Sequence, residues 1–345
     1  MSTRPDPALE RFLYAQRLAE PAEKATWSLL TGGVSSDIWR GDLPGRSLCV
    51  KRALPRLKVA AEWQAPVSRN AYEWAWLCFA AQQRPLNVPE PLAHDPAAGV
   101  FAMRFLDPAD HPVWKTQLLA GTVDPAVAAQ VGSVLAALHQ ASAGRADLAR
   151  TFDSGANFHA LRLEPYLLAS AERHADLAPA LRALVERTAS TRVALVHGDV
   201  SPKNILVGPR GPVLLDAECA WYGDPAFDVA FCLNHLLLKG LVLPARRAAL
   251  RAAYDAFVAA YFEGAAFEPR PALEARAATL LPGLLLARID GKSPVEYLLE
   301  RPREQALARG VACDLLRTPP ERLDDVRERW KAALDVSAAT AGSHE

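Results

Sequence analysis

Charge of one sign, paired cysteines and long apolar runs are all missing from this chain. Lys and Arg number 39 against 39 Asp and Glu, so the formal net charge is zero. An overall basic field that would attract nucleic acid is therefore absent. The five cysteines (49, 78, 219, 232 and 313) are scattered without a C-x-x-C pair, which argues against zinc and against a disulfide framework. Cys219 reads as a small packed hydrophobe rather than a thiol nucleophile. No run of about 18 uninterrupted apolar residues is present to span a bilayer, and the opening "MSTRPDPALERFL" has no apolar signal region. The expectation is a soluble, cytoplasmic protein with no membrane partner. A second His-rich cluster is missing too, which disfavours a metal-dependent hydrolase built on His197-x-Asp199.

Polar chemistry is concentrated in "HGDVSPKN", residues 197 to 204, at the exit of the apolar run 193–196. Asp, Ser, Pro and Asn are turn formers, but polar groups at the end of a buried strand need partners or a ligand. The following "ILVGPRGPVLLDAE" reads as strand, Gly-Pro turn, strand, which predicts a hairpin. Folding that hairpin brings Asn204, at the start of its first strand, beside Asp216, at the exit of the second. Asp199 lies on the loop leading into the same end. Two carboxylates and an amide oxygen make a hard, all-oxygen site suited to Mg²⁺, which usually takes its other ligands from water and substrate phosphates. That pattern points to phosphoryl transfer.

With "LLDAE" and "GDPAFDVAF" (223 to 231), these residues resemble the catalytic and metal-binding segments of the aminoglycoside phosphotransferase-like kinases, relatives of protein kinases. Protein kinases carry H-R-D with an Asn five residues on, and D-F-G where this chain has Asp216-Ala217-Glu218. Here Gly198 stands in place of the arginine and no A-P-E segment follows, which fits a constitutively assembled small-molecule kinase. The resemblance implies an α+β, two-lobed protein-kinase-like fold with a small antiparallel-sheet lobe (1–106, nucleotide-binding) and a large, mostly helical lobe (107–345, catalytic and acceptor-binding). It implies ATP and Mg²⁺ as cofactors and a small-molecule hydroxyl acceptor as partner. Asp199 would be the catalytic base, and Asn204, Asp216 and Glu218 the metal ligands. His197 would brace the loop, and Asp228 would accept its backbone hydrogen bonds.

The first hundred residues read as strand-rich, with a Gly-rich turn holding Gly32, Gly33 and Ser35. Such a turn can be an ordinary hairpin, or its N–H groups can cradle phosphate. Lys51 ends an apolar strand. By resemblance, the lysine of this third strand contacts the α- and β-phosphates and is held by a helix glutamate. Glu73, among Tyr72 and Trp74 in a helix capped by Ser68, needs a cationic partner that Lys51 can supply; Glu62 is the alternative. "GVFAMRFL" (99 to 106) reads as a strand stopped by Asp107-Pro108. By resemblance it is the hinge, with Met103 and Leu106 lining the adenine slot.

The remainder reads as helical. Asp124-Pro125 and Asp224-Pro225 look like helix starts, and His139 reads as a core or capping histidine. The tail "VSAATAGSHE" is expected to fray. The region from 240 to 335 should build the acceptor pocket. A pocket for polycationic aminoglycosides should be acidic, yet basic residues slightly exceed acidic ones here, and Arg288, Asp290 and Lys292 cluster. Asp216-Ala217-Glu218 also resembles the Asp-x-Glu segment of methylthioribose kinases. Arg288 and Lys292 therefore either bind a polar or anionic sugar-like acceptor or form a surface salt-bridge cluster. An antibiotic kinase and a pseudokinase that binds nucleotide without turnover remain alternatives.

Overall fold

A computed structural model describes residues 6–30, 36–54 and 69–342. Helix α1 (Pro7–Ala15) starts where the Asp6 side chain accepts the Ala8 N–H at 2.8 Å, with proline in the first turn, a position where its missing N–H costs nothing. Strands β1 (Thr26–Leu30), β2 (Ser36–Leu43), β3 (Arg46–Ala53), β4 (Pro91–Asp95) and β5 (Val100–Arg104) make one antiparallel sheet in the order β1-β2-β3-β5-β4. Pro44-Gly45 joins β2 to β3 with Gly45 at φ +74°, the Pro-then-Gly order of a type II turn. Leu9, Phe12 and Leu13 of α1 pack on Leu48, Val50, Val100 and Ala102 of one sheet face. Helix α2 (Arg69–Gln83) places Glu73 toward the opposite face, where Lys51 points by strand alternation. Lys51 is not at the end of its strand as the sequence suggested. β3 continues to Ala53, and Lys51 pairs with Ile38 on one side and Phe101 on the other. β5 stops at Arg104, so Phe105 and Leu106 lie beyond it.

The helical part begins with α3 (Trp114–Leu119) and α4 (Pro125–Ser142). Asp124 caps α4, accepting the Ala126 N–H at 2.8 Å. Short helices α5 (Ala146–Thr151) and α6 (Gly155–Phe158) lead into a π-helical stretch, His159–Leu168, that contains Pro165. Then come α7 (Ala169–Arg173) and α8 (Ala178–Ser190). Strand β6 (Ala194–Val196) pairs antiparallel with β9 (Trp221–Gly223), and between them lies the expected hairpin of β7 (Ile205–Gly208) and β8 (Gly211–Leu214). Helix α9 (Ala226–Val242) is buried from Ala226 to Leu241, the mark of a helix at the centre of a core. Helices α10 (Arg247–Gly264), α11 (Arg270–Asp290), α12 (Pro302–Arg317) and α13 (Leu323–Gly342) surround it. The tail departs from expectation, because α13 runs on as helix to Gly342. Among the described residues no helix is long and apolar enough to cross a membrane.

Candidate active site

The loop after β6 is fixed from below by α9. Asp228, in the first turn of α9 and fully buried, accepts the N–H groups of His197 and Gly198, both at 2.8 Å. His139 Nε2 lies 3.2 Å from the same carboxylate, and its Nδ1 lies 2.9 Å from the Tyr261 hydroxyl. This is the support role expected of Asp228, and His139 is a core histidine. Asp224 stays a cap, accepting the Ala226 N–H at 3.0 Å. Gly198 adopts φ +77°, and a Cβ there would stand 2.7 Å from the Cys219 carbonyl oxygen. No side chain fits, so the arginine of protein kinases is sterically excluded at this position. His197 accepts the Asp199 N–H on Nδ1 at 3.1 Å and donates from Nε2 to the Leu215 carbonyl at 3.1 Å. Burial lowers its pKa, consistent with a neutral ring that braces the loop against the hairpin. Asp228→Ala would leave two buried N–H groups unpaired at roughly 1–3 kcal/mol each. Urea denaturation should therefore show a loss of at least about 2 kcal/mol; a variant as stable as the parent would contradict this support role.

Asp199 is buried, yet its carboxylate is not isolated. Arg162 Nη2 lies 2.8 Å from Oδ2, and Lys203 Nζ lies 3.0 Å from the same oxygen. Burial works to raise the pKa, but Arg162 and then Lys203 outweigh it and hold the group below the usual carboxylate range. Arg162 also donates to the Gly198 and Leu161 carbonyls, at 2.6 and 2.7 Å. The sequence reading missed Arg162. Its one signal is an arginine between Leu161 and Leu163, both of which are buried.

The hairpin closes the other half of the site. Leu215 N–H donates to the Asn204 carbonyl at 2.9 Å, setting Asn204 beside Asp216. Asn204 Nδ2 donates to the Asp199 carbonyl at 3.1 Å, which turns Oδ1 outward to Lys203 Nζ at 3.0 Å. Asp216 is a non-glycine residue at φ +67°, an uncommon conformation that aspartate tolerates better than most. Its carboxylate is ion-paired with Lys51, whose Nζ also donates to Glu73 at 2.7 Å. Burial opposes the charge on Lys51, but Asp216 and Glu73 outweigh it. Burial likewise opposes ionisation of Asp216, but Lys51 and Lys203 drive its pKa well below the usual carboxylate range. Burial, aided by Asp216 and Glu218, pushes Glu73 up against the pull of Lys51.

Lys203 Nζ, 3.0 Å from Asp199 and Asn204 oxygens and 3.9 Å from Asp216, shows that this oxygen set accommodates a cation. Among the described residues no cluster of three or more His, Cys, Asp or Glu forms a metal cage. The donor set, one carboxylate and one amide oxygen beside Asp199, fits Mg²⁺ that completes its shell from water and phosphates. Glu218 is engaged differently: its Oε2 accepts from Arg69 Nε of α2 at 3.1 Å.

Gly32, Gly33, Ser35, Glu62 and Ser68 lie outside the described residues. Met103 is half-buried against the larger core, and Leu106 lines a separate cavity with Val88, Glu90 and His111. A cavity of about 170 Å³ opens beside Asp199, walled by Arg162, Tyr166, His235, Lys239, Arg288 and Tyr297. Arg288 and Lys292 part company here. Arg288 is buried in the cavity wall, donating to the Tyr166 and Ser293 hydroxyls at 3.2 and 2.9 Å. Lys292 is not in that wall but half-exposed, paired with Glu164 at 2.9 Å. α11 ends at Asp290 and Gly291 N–H closes on Ala287 O, so the chain turns away before residue 292.

Residues 26–277 match the family model described as "Phosphotransferase enzyme family". A methylthioribose kinase of Pectobacterium atrosepticum is 28% identical over 235 residues, 59% of this chain and 58% of that protein. One from Erwinia tasmaniensis is 29% identical over 225 residues, 56% and 55% of the respective chains. The chain thus aligns with little more than half the length of these relatives. A crystal structure of a choline/ethanolamine kinase family protein from Mesorhizobium loti overlaps 94% of this chain and 99% of its own, at 19% identity and TM-score 0.49. The antiparallel sheet followed by a helical region is the α+β arrangement expected from the motifs. The family model spans the whole five-stranded sheet, the whole loop from His197 to Asn204 and the hairpin that delivers Asp216, and on that match the chain belongs to the phosphotransferase enzyme family.

Proposed function

We propose that this protein transfers the γ-phosphoryl group of ATP to a hydroxyl of a small metabolite, with residues 1–106 binding the nucleotide and 107–345 the acceptor. The observation that carries this reading is the position of Asp199: its carboxylate lines the cavity on one side, and on the other shares Lys203 with Asn204 and Asp216. The acceptor oxygen attacks the γ-phosphorus as its proton passes to Asp199. An oxygen–phosphorus bond forms, the bond from the γ-phosphorus to the bridging oxygen breaks, and ADP leaves with that electron pair. Asn204 and Asp216 would hold Mg²⁺, which neutralises phosphate charge when bound. Lys51, fixed by Glu73, would hold the α- and β-phosphates. Arg162 keeps Asp199 ionised and oriented. Catalysis in this class is mostly positioning and charge stabilisation.

The cavity wall also bears on the acceptor. It carries five basic side chains (Lys115, Arg162, Lys203, Lys239 and Arg288) against three acidic ones (Asp199, Glu218 and Glu296). A polycation is repelled by such a wall, so aminoglycosides should be poor substrates. The likeness to methylthioribose kinases makes methylthioribose the first sugar to test. Purified protein with Mg²⁺ and ATP should release ADP on addition of a hydroxylated metabolite from a panel of sugars, sugar acids, amino alcohols and aminoglycosides. Nucleotide binding with no acceptor-dependent release across the panel, and no slow ATP hydrolysis sensitive to Asp199→Asn, would mark a pseudokinase instead.

A further inference from the structure

Helix α9 carries Phe231, His235 and Lys239 at four-residue spacing, hence on one face, and that face lines the cavity. From Phe231, packed against the Asp199 partner Arg162, to Lys239 is eight residues, about 12 Å along the helix. Lys239 is 1% exposed. Among the described residues its ammonium reaches only the His235 carbonyl of its own helix, at 3.3 Å, and the Tyr297 ring, at 5.5 Å. Around it, His235 Nε2, Arg288 Nε and the Tyr297 hydroxyl are buried with no hydrogen-bond partner among the described residues.

The acidic groups of the wall are already committed. Asp199 is held by Arg162 and Lys203, Glu218 by Arg69, and Glu296 by Lys115. Arg288 and Lys239 are left without a carboxylate among the described residues. A buried charge without a counter-charge is strongly unfavourable, as is a buried donor left unpaired. A single anionic group between Lys239 and Arg288 would correct both at once.

We propose that this end of the cavity is an anion subsite for a carboxylate of the acceptor, which makes the substrate a small hydroxy acid whose hydroxyl is presented to Asp199. The inference rests on the kinase reading and narrows its acceptor. A cavity of about 170 Å³ suits a small acceptor. Glu296, on the same wall, favours a monoanion over the dianion of a phosphomonoester. The titration of Lys239 is in keeping with this. Burial, with Lys115 and Arg288 nearby, lowers its pKa to about 7, against the weaker pull of Cys232 and Glu296. A bound carboxylate would restore the ammonium.

Glycerate, gluconate and other hydroxy acids of three to six carbons, each paired with its uncharged amide, supply the test. Acceptor-dependent ADP release gives KM, and calorimetry with Mg²⁺ and a non-hydrolysable ATP analogue gives Kd. The best acid should bind at least tenfold more tightly than its amide. Lys239→Met should raise KM for the acid at least tenfold and for the amide less than threefold. That substitution removes an unpaired buried charge, so the melting temperature of the acceptor-free protein should rise; Arg288→Gln, which keeps polar contacts, is the second variant. Amides equal to acids, amino alcohols or sugar phosphates preferred over both, no binding of any acid, or Lys239→Met without selective effect would each overturn the subsite. Failure of the kinase reading looks different: ADP release would be absent whatever acceptor is supplied, and so would slow ATP hydrolysis sensitive to Asp199→Asn.

Discussion

Asp199→Asn should lower kcat by roughly 10² to 10⁴, the span typical of a lost general base, and leave nucleotide affinity nearly intact. Asparagine keeps the shape and one acceptor oxygen, so the hydroxyl can still be oriented, but it cannot take the proton. Arg162 would then be buried beside a neutral partner, and breaking a buried pair costs about 3–5 kcal/mol. The melting temperature must therefore be measured with the kinetics, and turnover compared well below it. The pH profile gives a second check. Burial works to raise the Asp199 pKa, Arg162 and Lys203 more than reverse it, and the group lies below its ordinary value. Its charge, and the stability that charge contributes above the ordinary carboxylate pKa, should be lost only as pH falls through the depressed folded value. The acid limb of kcat assigned to Asp199 should accordingly lie below about pH 4. Near-parent turnover in the variant would end the assignment of Asp199 as base.

In the proposed role such a depressed pKa would make Asp199 a weak base, which suits a loose phosphoryl-transfer transition state in which positioning and charge stabilisation dominate. Arg162 then matters as much for direction as for charge. It donates both to Asp199 and to the Gly198 carbonyl, tying the carboxylate to the loop that carries it.

What could be read from residues alone was whatever local chemistry dictates. The hairpin from Ile205 to Leu214 followed from apolar runs around Gly and Pro, and with it came the adjacency of Asn204 and Asp216. Asp124-Pro125 marked a helix start because capping is a short-range matter. The pairing of Lys51 with a helix glutamate came from the resemblance, and the choice of Glu73 over Glu62 from a carboxylate among aromatics that needs a cation. Contacts between segments distant in the chain were not legible. Arg162 comes from a π-helical stretch without a motif. His235 and Lys239 lie in an apolar helix, where a lysine reads as an end-of-helix cation rather than a cavity wall. Arg288 and Lys292, four apart, looked like one cluster, but α11 ends between them and sends them to different places. Glu218 was placed with the metal ligands, and its pairing with Arg69 depends on how α2 meets the loop after β8.

Asp216→Asn should abolish measurable turnover and weaken Mg-nucleotide far more than metal-free nucleotide. Asp216 is the carboxylate that meets both Lys51 and Lys203, so it balances the site's cations together with Glu73 and Asp199. In the proposed role, amidation removes a charged oxygen ligand from a hard cation that depends on few protein ligands, while the β5 segment through Met103, proposed to hold adenine, is untouched. The substitution also releases Lys51. With Asp216 neutral, Lys51 retains Glu73 at 2.7 Å and stays available to phosphate, so metal-free ATP should bind within about threefold of the parent, under 1 kcal/mol. Mg-ATP affinity should fall at least tenfold, about 1.4 kcal/mol. Calorimetric titrations with and without Mg²⁺ separate the two. Equal loss of both forms would place Asp216 in general nucleotide binding or in folding, and unchanged affinity for Mg-ATP would remove it from the metal site altogether.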